Sequence, residues 1–474
     1  MDEQELPYFG EDNNSGHRVS QGLRETGPSD LKPGIVVKPP GPKTVAFNKR
    51  YQRAVTSALP KVTPLVVRDA KGSLVRDIDG NVFIDFVAGF AVMSVGHCNP
   101  AVVEAVQNQA ETLTHISAHL GSYEPYVSLA EKVRRVAPSN LRDGQVFFSN
   151  SGAEAVEAAL KLVHHVTRRP LTVAFWPSFH GRTAGALSAT GVGAHLRSGI
   201  TQAEMGGVYF APYAYCYRCP LKQTYPDCGV ACADYLDTMF DTVIPPEDTA
   251  AILFEPVSGE PGNIVPPPEF WPKIEKIAKK HGILLISDEV YTGFGRTGTM
   301  FACEHWNLKP DVVVFAKAIA GGLPLGGIIA RRELTDKWER GAHGSTYGGN
   351  PISCAAGNAA LDFITSHHLD KRSERLGIYT LKRLREMATR YPAIGDVRGK
   401  GMMVAIELVK GEAREPATDL ARKLLMEAYE RGLLIYVAGT YDSVIRMMPP
   451  LVIEQEILDK GLDILDASLN AVTK

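Results

Sequence analysis

No stretch of this 474-residue chain approaches 18 uninterrupted apolar residues, and the first 20 residues are polar, without the apolar core of a leader peptide. Such a chain reads as soluble and cytoplasmic, with no membrane partner. It also lacks an excess of charge: 51 Lys and Arg against 53 Asp and Glu leave a formal net charge of −2. That balance offers no electrostatic footprint for nucleic acid, so small molecules are the expected partners. Cysteine is scarce, seven in all, which excludes a disulfide scaffold. There is no internal repeat. At this length two domains, or one large α/β domain with appendages, are expected.

The pattern changes along the chain. Residues 1–42 mix charge with Gly and Pro, ending in Lys38-Pro39-Pro40-Gly41-Pro42, and follow neither a period of 2 nor of 3.6; they read as a disordered tail. Within residues 43–95, Leu65–Asp69, Leu74–Asp77 and Val82–Phe86 are short apolar runs separated by Lys71-Gly72 and Asp79-Gly80-Asn81, the pattern of antiparallel strands joined by tight turns. From 96 to 345 helical stretches alternate with buried strands. In one unit Phe270, Ile274 and Ile277 share a helix face, Gly282 stops the helix and Ile283–Ile286 is the next strand. Repeated units of this kind predict a mainly parallel sheet covered by helices. In residues 346–474 a helix over 352–366, a strand at Met402–Leu408 and a helix on Leu420, Leu424, Leu425 and Ala428 predict a smaller α+β domain.

Chemistry enters at strand ends. Lys317 follows Val312-Val313-Val314-Phe315 and precedes a Gly-rich turn, a poorly hydrated place where an amine pKa falls and a Schiff-base nucleophile can form. Asp288 ends the apolar run Ile283–Ser287, 29 residues upstream, and open α/β sheets bind ligands at that carboxyl edge. A lysine that forms a Schiff base, backed by an aspartate for a pyridinium nitrogen, is the protein half of pyridoxal-phosphate chemistry. The turn Ser149-Asn150-Ser151-Gly152-Ala153 opens a strong helix from Glu154, offering free N–H groups to a phosphate, or else a plain N-cap from Ser151. Phe179, in Phe179-His180-Gly181-Arg182, is either a platform for a flat cofactor or core. Cys216, Cys219, Cys228 and Cys232 have a spacing suited to a tetrahedral structural zinc, but local disulfides or reduced thiols in loop packing account for it equally, and no metal ligands are assigned.

Seven landmarks in order now resemble one family: Gly96-His97-Cys98-Asn99-Pro100, the block Ser149–Lys161, Phe179–Thr183, Glu255–Glu260, Asp288–Val290 with Gly293–Gly298, Lys317, and Ser345–Pro351. The chain from about Gly41 onward resembles the class III, fold-type I pyridoxal-phosphate aminotransferases, above all those acting on 4-aminobutyrate and other ω-amino acids. The resemblance implies an α/β fold-type I transferase whose small domain draws on both chain ends. It also implies a homodimer with a shared site, the pairing of dimers being open. Lys317 would hold the cofactor and Asp288 its ring nitrogen. Ser151, Gly152 and Ala153 would bind its phosphate, and Phe179, Val290 and Tyr291 would surround its ring. Thr346 would reach the neighbouring subunit's phosphate. Phe90, Arg182, Glu255, Glu260 and Arg446 would face substrate, Arg182 taking a distal carboxylate and Arg446 the α-carboxylate of 2-oxoglutarate. Glu260 would cover Arg446 when the ω-amine is bound.

Two positions depart from that pattern. Tyr291 stands where many relatives carry Gln beside the cofactor's 3-hydroxyl, and Pro261-Gly262 replaces a glycine pair, stiffening the loop behind Glu260. The implied reaction moves an amino group from an ω-amino acid to 2-oxoglutarate, with pyruvate as the other acceptor in view. Racemases and epimerases of the same fold are the chief rival, because they share nearly every cofactor residue. The joint presence of Glu260 and Arg446 favours transamination, since a racemase needs no gate for two substrates.

Overall fold

The computed structural model describes residues 31–200 and 205–474. Its central sheet has seven strands: β4 (Gln145–Ser149), β5 (Leu171–Trp176), β6 (Val208–Pro212), β7 (Thr249–Phe254), β8 (Leu284–Asp288), β9 (Val312–Phe315) and β10 (Gly326–Ala330). Their spatial order is β4-β10-β9-β8-β7-β5-β6. Only β10 is reversed, antiparallel to both β4 and β9, while the pairs among β5 to β9 are parallel. β7 and β9 are buried at every position, as a sheet covered on both faces requires. The helix Phe270–His281 buries Phe270, Trp271, Ile274, Ile277 and Ala278 and ends at Gly282, whose φ of +63° is the left-handed stop that glycine supplies. The strand that follows begins at once.

Three strands precede this sheet: β1 (Val67–Lys71), β2 (Leu74–Asp77) and β3 (Val82–Asp85), an antiparallel meander. A strand from the far end of the chain, Leu433–Leu434, joins β3 in parallel, so the two ends of the chain share one sheet. The C-terminal strands Ile394–Lys400, Met403–Lys410, Val444–Met447 and Tyr436–Ala438 form, in that order, a second antiparallel sheet. Arg446 lies on the third of these, opposite Ala405.

The expected tail divides. Residues 1–30 lie outside the described residues, whereas 31–41 are bonded to the body, a correction to the boundary at 42. Asn81 Oδ1 accepts from the backbone N–H of Val36 (2.8 Å) and Val37 (2.9 Å), and Asp79 accepts from Lys43 and Thr44 (both 2.9 Å). The turn residues of the meander thus cap the helix Pro42–Ala54, whose first residue is a proline that needs no N–H partner. Among the described residues no helix is long and apolar enough to cross a membrane.

Arg296 ties the layers together. It is fully buried, and its guanidinium donates to the carbonyls of Pro449 (2.6 Å) and Met402 (3.3 Å) and to Ser94 Oγ (2.9 Å). Burial pushes its pKa down to about 10. Arg296→Ala leaves these three acceptors without their donor, an expected loss of roughly 3 kcal/mol or more. The check is thermal unfolding: the variant should melt several degrees lower, and an unchanged midpoint would refute this linking role.

Candidate active site

Every chemically notable segment leaves the sheet at one edge. β4 leads to Ser151–Ala153, β5 to Phe179 and His180, β7 to Glu255, β8 ends on Asp288 and β9 leads to Lys317. All five strands run the same way, so their carboxyl ends converge, as ligand sites in open α/β sheets do. Between them lies a cavity of about 390 Å³. Its lining includes Ser151, Gly152, Ala153, Phe179, Glu255, Glu260, Asp288, Val290, Tyr291 and Lys317.

Lys317 adopts φ +48°, unusual for a residue with a side chain and costing on the order of 1–3 kcal/mol. Loss of hydration lowers its amine pKa to about 8, with Asp288 opposing the shift. Its Nζ lies 3.6 Å from the centre of the Tyr291 ring. Asp288 Oδ1 accepts from the Val290 N–H (3.0 Å), and Oδ2 is 2.7 Å from His180 Nδ1. His180 has no exposed side chain, and its Nε2 finds no partner among the described residues. Sequence reasoning passed over it. The signal was its place beside Phe179 at a strand end, but a lone histidine there acquires meaning only from the buried carboxylate it meets.

Glu255 secures two neighbouring segments. Its carboxylate accepts from the N–H of Phe179 (2.9 Å) and of Gly259 (2.8 Å), and burial raises its pKa to about 6. Glu260, on the same loop, pairs with Arg446: Oε2 to Nη2 is 3.0 Å, and Arg446 is fully buried. Tyr436 donates its hydroxyl to Glu260 Oε1 at 3.2 Å. Tyr291, expected beside the cofactor's 3-hydroxyl, lines the cavity and accepts from Arg446 Nη2 through its hydroxyl at 2.6 Å.

Four expected site residues lie outside this lining, among them Arg446, which is fully buried and meets it through Glu260 and Tyr291. Arg182 is exposed, 5.9 Å over the Phe179 ring, and borders a second cavity of about 480 Å³ that shares Phe179 and Glu260 with the first. Phe90, at φ +65°, meets the Tyr436 ring edge-on at 4.9 Å. Thr346 is exposed and does not border its own subunit's cavity. The four clustered cysteines line one small void near Tyr213 and Pro267. Among the described residues no group of three or more His, Cys, Asp or Glu is placed to hold a metal ion, so the zinc option is set aside.

The sequence matches the family described as Aminotransferase class-III over residues 56–469. The chain belongs to the class III aminotransferases. It is 39% identical over 425 residues to the leucine/methionine racemase of Thermococcus litoralis, covering 89% of this chain and 94% of that one. It is also 39% identical to the 4-aminobutyrate aminotransferase of Mycobacterium tuberculosis, over 92% of this chain and 97% of the relative. Among solved structures, taurine:2-oxoglutarate aminotransferase from Bifidobacterium kashiwanohense, in complex with PLP and glutamate, superposes with a TM-score of 0.84. The identity is 28%, covering 91% of this chain and 98% of that one. The α/β fold-type I architecture and dependence on pyridoxal phosphate follow from membership of this family.

The residues present fit that cofactor. The helix Gly152–Thr167 presents its N-terminus to the cavity, where a phosphate meets free N–H groups and the positive end of the dipole. Gly152 packs so closely on Val290 that a Cβ would fall 2.8 Å from its Cγ1, bringing the helix start against the ring cradle. Phe179 and Val290 supply flat and apolar surfaces, and Asp288 a carboxylate at the closed end.

The lowered lysine pKa has a kinetic consequence in the apoenzyme. Because Lys317 sheds its proton as pH rises through about 8 rather than near 10.5, the rate of cofactor uptake should climb with a midpoint near pH 8 and level above it. Stopped-flow absorbance reads this directly. Lys317→Ala should take up no borohydride-reducible cofactor, and a variant that did would remove the assignment.

Proposed function

We propose that this enzyme transfers the amino group of an ω-amino acid, 4-aminobutyrate being the best single candidate, to 2-oxoglutarate. The products are a semialdehyde and glutamate, formed in alternating half-reactions. The observation that carries the reading is the buried Arg446 with Glu260 paired to it beside Lys317.

Pyridoxal phosphate supplies an electron sink for the substrate carbon and a temporary carrier for the amino group. Lys317 would hold it, Asp288 would keep its ring nitrogen protonated, and Ser151, Gly152 and Ala153 would bind its phosphate. Phe179 and Val290 would face its ring. His180, on Asp288 Oδ2, keeps that carboxylate oriented. Once released, about half of the Lys317 amine is unprotonated near pH 8, so it can take a proton from the substrate carbon and return it elsewhere as base and then acid. Arg182 would hold a distal carboxylate at the mouth of the outer cavity.

The gate follows from charge. A buried guanidinium without a counter-charge is costly, typically about 3–5 kcal/mol when its partner is removed. An acceptor brings an α-carboxylate for Arg446, whereas an ω-amine brings none, and Glu260 then fills the place. The racemase reading has in its favour the similarity to two racemases, one for leucine and methionine and one for alanine and serine. An amino-donor screen with 2-oxoglutarate and with pyruvate, alongside chiral analysis of product, separates these readings.

Arg446→Ala should cripple the 2-oxoglutarate half-reaction by on the order of 2–5 kcal/mol while sparing the ω-amine half. Glu260→Ala should do the reverse, sparing or improving α-amino donors. Each half is followed by stopped flow, and equal slowing of both by Arg446→Ala would overturn the gate. The exposed Thr346 supports a homodimer in which it serves the phosphate of the neighbouring subunit. Thr346→Ala should raise the cofactor concentration needed for activity, and a fully active monomer in sedimentation would refute the shared site.

A further inference from the structure

Tyr291 stands where three parts of the site meet. Its hydroxyl accepts from Arg446 Nη2 at 2.6 Å, and its ring centre lies 3.6 Å from Lys317 Nζ. The ring also covers Gly259 on the gate loop, where a Cβ would come within 3.0 Å of Tyr291 Cγ. Arg446 offers Nη2 to both Tyr291 and Glu260, while its Nε and Nη1 have no partner among the described residues.

The two acceptors on Nη2 differ in freedom. Tyr291 is pinned on both sides: Val290 N–H is bonded to Asp288, and the buried Glu289 carboxylate accepts from Thr292 and from the N–H groups of Ala302 and Cys303 (both 2.8 Å). Its ring packs with Val257, Met403 and Met448. Glu260 is a quarter exposed and sits on a loop. One acceptor is therefore fixed and the other can swing.

We propose that Tyr291 is a positioning residue for carboxylate binding, a fixed acceptor that stays on Arg446 when Glu260 leaves and holds the guanidinium in one orientation for the incoming substrate carboxylate. This rests on the gate reading of Arg446. Burial pushes the phenol pKa up, so Tyr291 stays neutral and does not compete with an incoming anion.

Tyr291→Phe keeps the ring over Lys317 and Gly259 and removes only the oxygen. With the holoenzyme, the half-saturating concentration of 2-oxoglutarate should rise on the order of tenfold, as loss of a hydrogen bond to a charged group implies, with the limiting rate little changed. Glutarate, an unreactive dicarboxylate, should bind more weakly by a similar factor in calorimetry. The ω-amine half-reaction, its pH profile and the visible absorbance of the bound cofactor should stay as in wild type. Equal effects on both half-reactions, unaltered glutarate binding, or a shifted cofactor absorbance would each overturn the proposal. Arg446→Ala run in parallel separates the two ideas. If it binds glutarate as wild type does, the gate itself fails. If it loses glutarate while Tyr291→Phe does not, only the role of Tyr291 falls.

Discussion

A guanidinium with no exposed surface needs acceptors close by, and Arg446 organises the small-domain side of the cavity through that need. It brings Glu260 inward, and the loop carrying Glu260 is in turn held by two bonds from the C-terminal half: Gly439 N–H to the Glu260 carbonyl (3.1 Å) and Arg398 Nε to the Gly262 carbonyl (2.8 Å). Arg398 is itself fixed by Asp396 and Glu407, each 2.7 Å from Nη1. Pro261 limits the loop to few conformations. The swing assigned to Glu260 therefore belongs to its side chain, since the backbone beneath it is bonded at both flanks.

The other side of the cavity depends on the sheet. Parallel strands bring their carboxyl ends to a common edge, and burial at that edge does two opposite things to charge. It strips water from Lys317 and favours the neutral amine, while His180 and the Val290 N–H keep Asp288 supplied with donors. A base and an anion can thus stand in one apolar cleft without neutralising each other, because the carboxylate's bonds point away to His180 and the backbone.

What the sequence disclosed follows from how local each signal is. Lys317 and Asp288 were legible because an apolar run ending in a single charged residue is a short-range pattern. The central sheet and the helix closed by Gly282 were legible for the same reason. Arg446 and Glu260 became a pair only through resemblance, since nothing local links a strand residue to a loop residue so distant in the chain. His180 and the orientation of Tyr291 were not legible at all, because their meaning lies in which buried partner the fold delivers. The helices Leu369–Arg390 and Gln455–Thr473 were missed because their buried residues are spaced among many charges. The docking of residues 31–41 was missed because Asp79 and Asn81 look like turn residues, and their acceptors serve backbone far upstream.

The choice between transamination and racemisation turns on the same logic. Both reactions need a lysine of lowered pKa, a carboxylate for the ring nitrogen and a phosphate cradle, so the sheet edge alone does not separate them. The difference lies in what else must enter. A racemase sees one substrate with one α-carboxylate, and a permanently unpaired arginine in the cavity would serve it well. Here the arginine carries two protein acceptors, one fixed and one on a flexible side chain. Holding a mobile carboxylate over the arginine weakens binding of every α-amino acid, a cost that makes sense only if a second substrate without that carboxylate must also be accepted. The small-domain side of the cavity, rather than the catalytic lysine, is therefore where reaction type is written, and it favours transamination.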